Sequence, residues 1–385
     1  MTFIKRKTKI RRGEPEESSL NIPLLIVVLV VGAVACGLVY FLVGPLLFGG
    51  EPEYRIVPYG QGDQSTPSAS LTPTPDLPAP TLSPTPAPTQ PPIVLARITA
   101  ETVGRLELVD RLTGHSDAVS SLAFSPDGSR LASGDRGGGI RVWDVATGME
   151  LAAFRSLSEW VESVAISADG MALAAGGQDN LVRLWDLVSG IALAPLSGPT
   201  APVKSLAFSP RGKLLAAGSD DGRVYVWDLE KSSDRVEVVL EGHTSYVTSV
   251  AFNPDGTIVA AGGEDDTVRL WKVPTGAALG VLQGHAGNVS SVTFSPDGTR
   301  LASTATGSDH TVRVWDVASQ TLLFMLEGHT ESVSSAAFSP DGSLLVSAGS
   351  GIQDNTVRVW NAVAGAPLRV LYPDPNAPIT AVAFR

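Results

Sequence analysis

The sequence predicts an all-β domain of repeated antiparallel units, preceded by a separate apolar segment and a polar linker. Three observations predict it. Between residues 284 and 316, three short runs (289–294, 300–303 and 311–315) alternate apolar and polar residues and are rich in β-branched side chains, which is the pattern of half-buried strands. The turn Ser295-Pro296-Asp297-Gly298 separates the first two runs; proline presets φ there and glycine accepts φ > 0. The same layout then recurs in register. The apolar residue opening the first strand is Val119, Val161, Val203, Val247, Val289, Val333 and Ile379, at spacings of 42 to 46 residues.

The best-formed unit opens on Gly284-His285 and closes on Trp315-Asp316. A period in the low forties bounded by Gly-His and Trp-Asp resembles the WD40 repeat. Residues 112–385 therefore resemble a WD40 β-propeller, and recurrence in register makes the motif far more specific than a lone dipeptide. The resemblance implies six complete repeats and a partial seventh blade. Ile379–Phe384 supplies an innermost strand and the sequence stops at Arg385. Either strands at 93–99 and 106–112 help to complete a hybrid blade, with 106–112 outermost, or the chain is truncated.

The third strands carry Trp143, Trp185, Trp227, Trp271, Trp315 and Trp360. In the family, each joins a buried chain of His, Ser or Thr, and Asp. Two repeats hold every member: His285, Ser303, Asp309 and Trp315, then His329, Ser347, Asp354 and Trp360. The fourth has His243, Asp265 and Trp271 but Ala261 in the second strand. The first has His115, Ser133 and Trp143 but Gly137 where the acid is expected. Repeats two and three place Leu157 and Pro199 at the His position while keeping Asp179 and Asp221. The C-terminal half is expected to be the more rigid.

The N-terminal third reads differently. Residues 1–21 carry six basic and three acidic side chains and are expected to form a cytoplasmic tail. Residues 22–48 are 27 residues without a charge, enough to cross a bilayer as a helix of about 20 residues. The basic flank orients this span with its N-terminus in the cytoplasm and the remainder outside. A cleaved signal peptide has a shorter apolar core. Ala33-Val34-Ala35-Cys36-Gly37 resembles a lipoprotein box, but further apolar residues follow it. Residues 49–92 read as a disordered linker, with ten prolines between 67 and 92. At about 3.1 Å per residue, that proline-rich stretch spans up to roughly 80 Å. The repeat domain is expected over 93–385.

Composition narrows the function. The formal charge is −11, and everything beyond the apolar run is acidic, which disfavours a nucleic-acid partner. Cys36 is the only cysteine and lies in the apolar run, so no intrachain disulfide forms. Four of the five histidines belong to the Gly-His positions, and the fifth, His310, is expected to be exposed in a turn. No nucleophile–base pair, metal-ligand cluster or phosphate loop is legible, so the chain reads as a non-enzymatic scaffold without cofactor. A sensor module for a separate membrane-associated enzyme is the alternative, and a propeller hydrolase a weaker one.

Binding then falls to one face of the ring. The residue before each first strand should line it near the channel, as Ala118, Trp160, Pro202, Tyr246, Asn288, Ser332 and Pro378. Trp160 is the one tryptophan outside the repeat positions, and with Tyr246 and Asn288 it forms the candidate face. Asp117, Glu159 and Glu331 lie beside it and would make it acidic. The other reading of Trp160 is that it fills the space of the missing histidine. The partner implied is a protein or peptide, with the membrane engaged through 22–48.

Overall fold

Residues 2–4, 26–33, 36–43, 107–155, 160–231, 235–351, 353–372 and 379–384 are described by the computed structural model. The linker expected over 49–92, the candidate strand at 93–99 and most of the N-terminal tail lie outside these residues. Among the described residues seven sheets, antiparallel except for one parallel pairing of Thr2–Ile4, follow one another and are called blades 1 to 7. Blade 1 is built of Val119–Phe124, Arg130–Asp135, Gly139–Asp144 and Glu150–Arg155, in that order from the inside outwards. Blades 3, 4, 5 and 6 repeat this four-stranded order, starting at Val203, Val247, Val289 and Val333. Blade 2 has three strands, Val161–Ile166, Ala172–Gly177 and Val182–Asp186. Its outer strand is reduced to two isolated bridges, Val182 with Leu196 and Trp185 with Ala192.

Each inner hairpin turns on the Ser-Pro-Asp-Gly motif or its relatives. Ser295 N donates to Arg300 O at 2.9 Å, and Gly298 N donates to Ser295 O at 2.8 Å with φ of 71° at the glycine. The Ser295 hydroxyl also accepts from Arg300 N at 3.0 Å, so one short side chain satisfies a donor the turn would orphan.

Blades pack through the residue that opens each inner strand. Val119, Val161, Val203, Val247, Val289, Val333 and Ile379 are at most 1% exposed. In four blades this valine sits over a glycine of the preceding blade's second strand. A Cβ at Gly134, Gly176, Gly218 or Gly262 would come within 2.4 to 2.6 Å of it. Sheets therefore approach more closely than any side chain at those positions would allow. Serine side chains clasp successive inner strands: the Ser121, Ser163, Ser205 and Ser249 hydroxyls each accept from a backbone N–H of the next blade at 3.0 Å. Contacts between inner strands run from blade 1 round to blade 7 and back to blade 1, so the ring is closed.

Blade 7 departs from expectation. Ile379–Phe384 is its inner strand, and Glu107–Leu112, within the run expected outermost at 106–112, lies fourth of five. The two strands between them are Ile26–Ala33 and Cys36–Val43, from the run read above as a transmembrane helix. Thr2–Ile4 pairs outside Glu107–Leu112. The pairing of Ile26–Ala33 with Ile379–Phe384 matches Val27 to Phe384 and Val31 to Ile379. Among the described residues, no helix is long and apolar enough to cross a membrane. The physical reason is that an uninterrupted apolar run suits a strand covered on both faces as well as it suits a membrane helix. This run is also rich in valine and isoleucine, and the free edge of Ile379–Phe384 offers its backbone groups partners.

Candidate interaction face and the networks beneath it

The repeat tryptophans lie between 0% and 6% exposed. In blade 5, Trp315 Nε1–H donates to Ser303 Oγ at 2.8 Å, and the Ser303 hydroxyl meets His285 Nε2 at 2.7 Å. His285 Nδ1–H then donates to Asp309 at 2.7 Å, so every polar atom of the chain is paired. Blade 6 reproduces this with Trp360, Ser347, His329 and Asp354, at 2.9, 2.7 and 2.9 Å. Burial raises the Asp309 and Asp354 carboxyls, but hydrogen bonds from histidine, threonine and backbone outweigh it and hold both well below the usual carboxylate range. Burial keeps His329 neutral by lowering its pKa against the pull of Asp354.

The glycine of Gly-His has its own reason. Gly284 and Gly328 adopt φ of 145° and 150°, and a Cβ on either would lie 2.6 Å from the guanidinium of Arg313 or Arg358. An L side chain is strained at this φ, and the arginine tip would also have to move aside for it.

Blade 1 corrects the sequence reading. Its chain is complete because Asp135, two residues before Gly137, supplies the acid. His115 meets Asp135 Oδ2 at 2.7 Å and Ser133 Oγ at 2.6 Å, and Trp143 Nε1–H donates to Ser133 at 2.8 Å. Asp135 ends the second strand, and its other oxygen accepts from Gly139 N at 2.7 Å. A Cβ at Gly139 would lie 2.8 Å from that carboxylate, so glycine in the turn makes its room.

In blade 4, His243 reaches Asp265 at 2.9 Å, but its Nε2 is buried without a hydrogen bond among the described residues, since Ala261 has no hydroxyl. Trp271 Nε1–H turns instead to Glu241 O at 3.3 Å. Ala261→Ser is expected to raise stability by about 1 kcal/mol by supplying that partner. A urea midpoint that stays put or falls would show that the orphan is already accommodated. Blade 3 substitutes a different cluster: Asp221 accepts from Thr200 N, the Thr200 hydroxyl and Tyr225 OH at 2.9, 2.8 and 2.8 Å. In blade 2, Asp179 pairs with Arg183 at 2.6 Å. His310 is half-buried, not exposed, beside a cavity of about 390 Å³ that Glu327, Arg313 and His329 help to line.

The face above these networks is set by two positions in each blade. The residue before the inner strand and the one following the second strand are tied together: the N–H of Arg136, Asp220, Glu264, Thr306 and Ser350 donates to the carbonyl of Ala118, Pro202, Tyr246, Asn288 and Ser332, at 2.8 to 3.0 Å. Trp160 is 44% exposed and Tyr246 is 47% exposed. The Arg136 guanidinium lies over the Trp160 ring, 5.3 Å from its centroid. Asn288 and Asp117 are exposed, and Asp117 accepts from its neighbour Ala118 N at 2.6 Å. Glu331 is held down, accepting from Gln353 N at 2.7 Å and Asp354 N at 3.3 Å, so it caps a loop of its own blade. Glu159 and Pro378 lie outside the described residues.

Sequence reasoning missed the residues two further along the inner strand, which share the channel side of Trp160 and Tyr246 by the two-residue period. In blades 1, 4, 5 and 6 that position is Ser120, Thr248, Ser290 or Ser334, each bonding to the next inner strand's first carbonyl. In blades 2 and 3 it is Glu162 and Lys204. Lys204 Nζ lies 2.9 Å from Glu162 and 3.7 Å from Asp220. Gln178 Nε2–H also donates to Glu162 at 2.8 Å. Burial pushes the Asp220 carboxyl up, and Glu162 and Glu264 add to this while Lys204 opposes it. The period-breaking charges at 162 and 204 were the available signal.

Comparison with known proteins covers the repeats. The sequence model of the family described as WD domain, G-beta repeat matches 106–144, 151–186, 190–228, 235–272, 276–316 and 320–361, together more than half of the chain. Periodic tryptophan protein 2 of Saccharomyces cerevisiae is 51% identical over 41 residues, 11% of this chain and 4% of that protein. Nuclear distribution protein PAC1 of Candida albicans is 50% identical over 50 residues, 13% of this chain and 10% of that protein. Small ribosomal subunit protein RACK1 of Medicago sativa is 49% identical over 45 residues, 12% of this chain and 14% of that protein. The chain thus spans only a small part of the length of these relatives, about one repeat in each. With six matched repeats, six blades built on the same strand order and the His-Ser-Asp-Trp chain in three of them, the chain belongs to the WD40-repeat family.

Proposed function

We propose that this propeller is a scaffold that binds a protein or peptide on the face carrying Trp160 and Tyr246. One observation carries the reading: these two rings are 44% and 47% exposed while the repeat tryptophans are at most 6% exposed. Exposed Trp and Tyr give large contact area at low entropic cost and are enriched among interface hot spots. Trp160→Ala and Tyr246→Ala are expected to weaken partner capture by about 1 kcal/mol or more each, with unchanged urea midpoints. Lower midpoints with capture intact would make both residues packing and move the face elsewhere.

We also propose that 22–48 attaches the chain to a membrane, with the propeller outside the cytoplasm. The support is sequence: 27 uncharged residues behind a basic flank. The seventh-blade hairpin and a membrane helix are alternative uses of one segment. In water its backbone groups pair with Ile379–Phe384; in a bilayer a helix pairs them internally. The chain should resist extraction by alkaline carbonate, and protease added to intact cells should remove the propeller. Full release by carbonate would leave the hairpin as the segment's role.

A further inference from the structure

The face opposite Trp160 carries the turns that join first to second and third to fourth strands. On that underside, blade 2 stands clear of blade 1. A Cβ at Gly298 or Gly342 would lie 3.1 or 3.5 Å from a proline of the preceding blade's turn, and one at Gly365 2.5 Å from Phe324. At Gly170 and Gly190, their counterparts in blade 2, it would meet nothing within 4 Å. Across the junction of blades 5 and 6, the Arg300 guanidinium donates to Gly342 O at 3.0 Å and to Ala362 O at 2.5 Å. Arg130, at the same place in blade 1, has Asp127 of its own turn beside it and no bond to blade 2 among the described residues. The same corner is apolar. Met171, Val188 and Ile191 of blade 2 and Met149 of blade 1 are 55% to 75% exposed. Met171 O accepts from Leu187 N and Ile191 O from Asp186 N, which gathers the three blade 2 residues at one end of the sheet. At the Met171 position the other repeats carry Ser129, Lys213, Thr257, Thr299 and Ser343, each accepting the same turn bond.

The chain enters the ring on this face. Glu107–Leu112 runs towards the loop that opens blade 1, as Thr321–Leu326 runs towards the loop that opens blade 6. Its first residue, Glu107, therefore lies at the underside, one blade from Met149. We propose that this corner is a lipid-contact surface: Met149, Met171, Val188 and Ile191 enter the headgroup boundary of a bilayer, and Arg130 takes a headgroup phosphate. The point of entry selects the occupant. A membrane segment joined to the ring at its underside brings that face towards the bilayer and holds it there at high effective concentration. Exposed apolar side chains then gain by entering the boundary between headgroups and acyl chains. Asp127, Asp144, Asp169 and Asp186 stand in the turns around the corner, each accepting backbone N–H groups. Their charge is repelled by anionic lipid, so a zwitterionic surface suits the corner. The inference rests on the proposed attachment through 22–48 and specifies which face of the propeller meets the bilayer.

The test reconstitutes the full chain with phosphatidylcholine vesicles, carrying Cys36→Ala and one new cysteine labelled with the fluorophore NBD. Ser189→Cys places the probe beside Val188, and Ser319→Cys places it in the same turn of blade 5; each serine bonds its turn aspartate in the same way. A nitroxide near the lipid headgroup should quench the probe at 189 at least about twofold more than the probe at 319, as a corner at the headgroup boundary requires. Val188→Asp with Ile191→Asp should abolish that difference, and Arg130→Gln should reduce it. Mixing anionic phosphatidylglycerol into the vesicles should reduce it as well, without any change to the protein. Urea midpoints of the variants separate these losses from unfolding. Chain that floats with the vesicles yet shows equal quenching at both positions would overturn the lipid contact and leave the attachment standing. Chain that stays behind on flotation would overturn the attachment, and the contact with it.

Discussion

Trp315→Ala is expected to lower the urea midpoint further than Trp185→Ala, though both remove a buried indole. Either change forfeits packing worth about 3–5 kcal/mol. Trp315 lies among Val289, Val292, Phe294 and Leu301 between blades 4 and 5, and Trp185 among Val161, Val164 and Leu173, with its ring 5.5 Å from Phe154. The packing losses are therefore comparable. Only Trp315 heads a complete chain, so only its removal strips a donor from a serine already committed to a buried histidine. That adds about 1–2 kcal/mol. Equal midpoints would mean that the chain confers no stability beyond the ring it holds.

Asp135→Ala in blade 1 should cost about 2–6 kcal/mol, because it orphans two part-buried donors at about 1–3 kcal/mol each. These are His115 Nδ1–H and Gly139 N–H, both at 2.7 Å from the carboxylate. A second change, Gly137→Asp, should restore much of the loss by placing a carboxylate two residues after the strand end, where blade 4 has Asp265. Gly137 is not in the left-handed region, and with Asp135 shortened to alanine its new Cβ would need only Ser116 Oγ, at 3.3 Å, to give slightly. Thermal melts of the single and double variants read both effects. If the double variant is no more stable than Asp135→Ala, the acid's position on the strand matters as well as its presence.

The expectation that only the C-terminal repeats are fully networked fails at one residue. Gly137 occupies the position that carries the acid in other repeats, so alignment reports a gap. Geometry fills it from Asp135, since His115 accepts an acid from the strand end as readily as from the turn. Glu331 shows the opposite case. Its sequence position suggests a free rim charge, yet two backbone N–H groups of its own loop claim it. An acid beside a turn is drawn to unpaired donors before it is available to a partner.

Much of the fold is legible because its rules are local. Strand alternation, the Ser-Pro-Asp-Gly turn and the valine opening each inner strand are properties of a few neighbouring residues, and a repeat states them six times over. Trp160 and Tyr246 could be nominated for the same reason: a fixed offset from a known strand places them on one face. What only the tertiary structure decided depends on residues that sequence spacing does not bring together. Glu162 and Lys204 meet because adjacent inner strands turn the same face to the channel across 42 residues of chain, and Asp220 joins them from the end of blade 3's second strand. The use of 26–43 likewise depends on what surrounds it. An apolar run can satisfy its backbone within a helix or along a strand edge, and the strand that Ile26–Ala33 pairs with, Ile379–Phe384, lies more than 300 residues away.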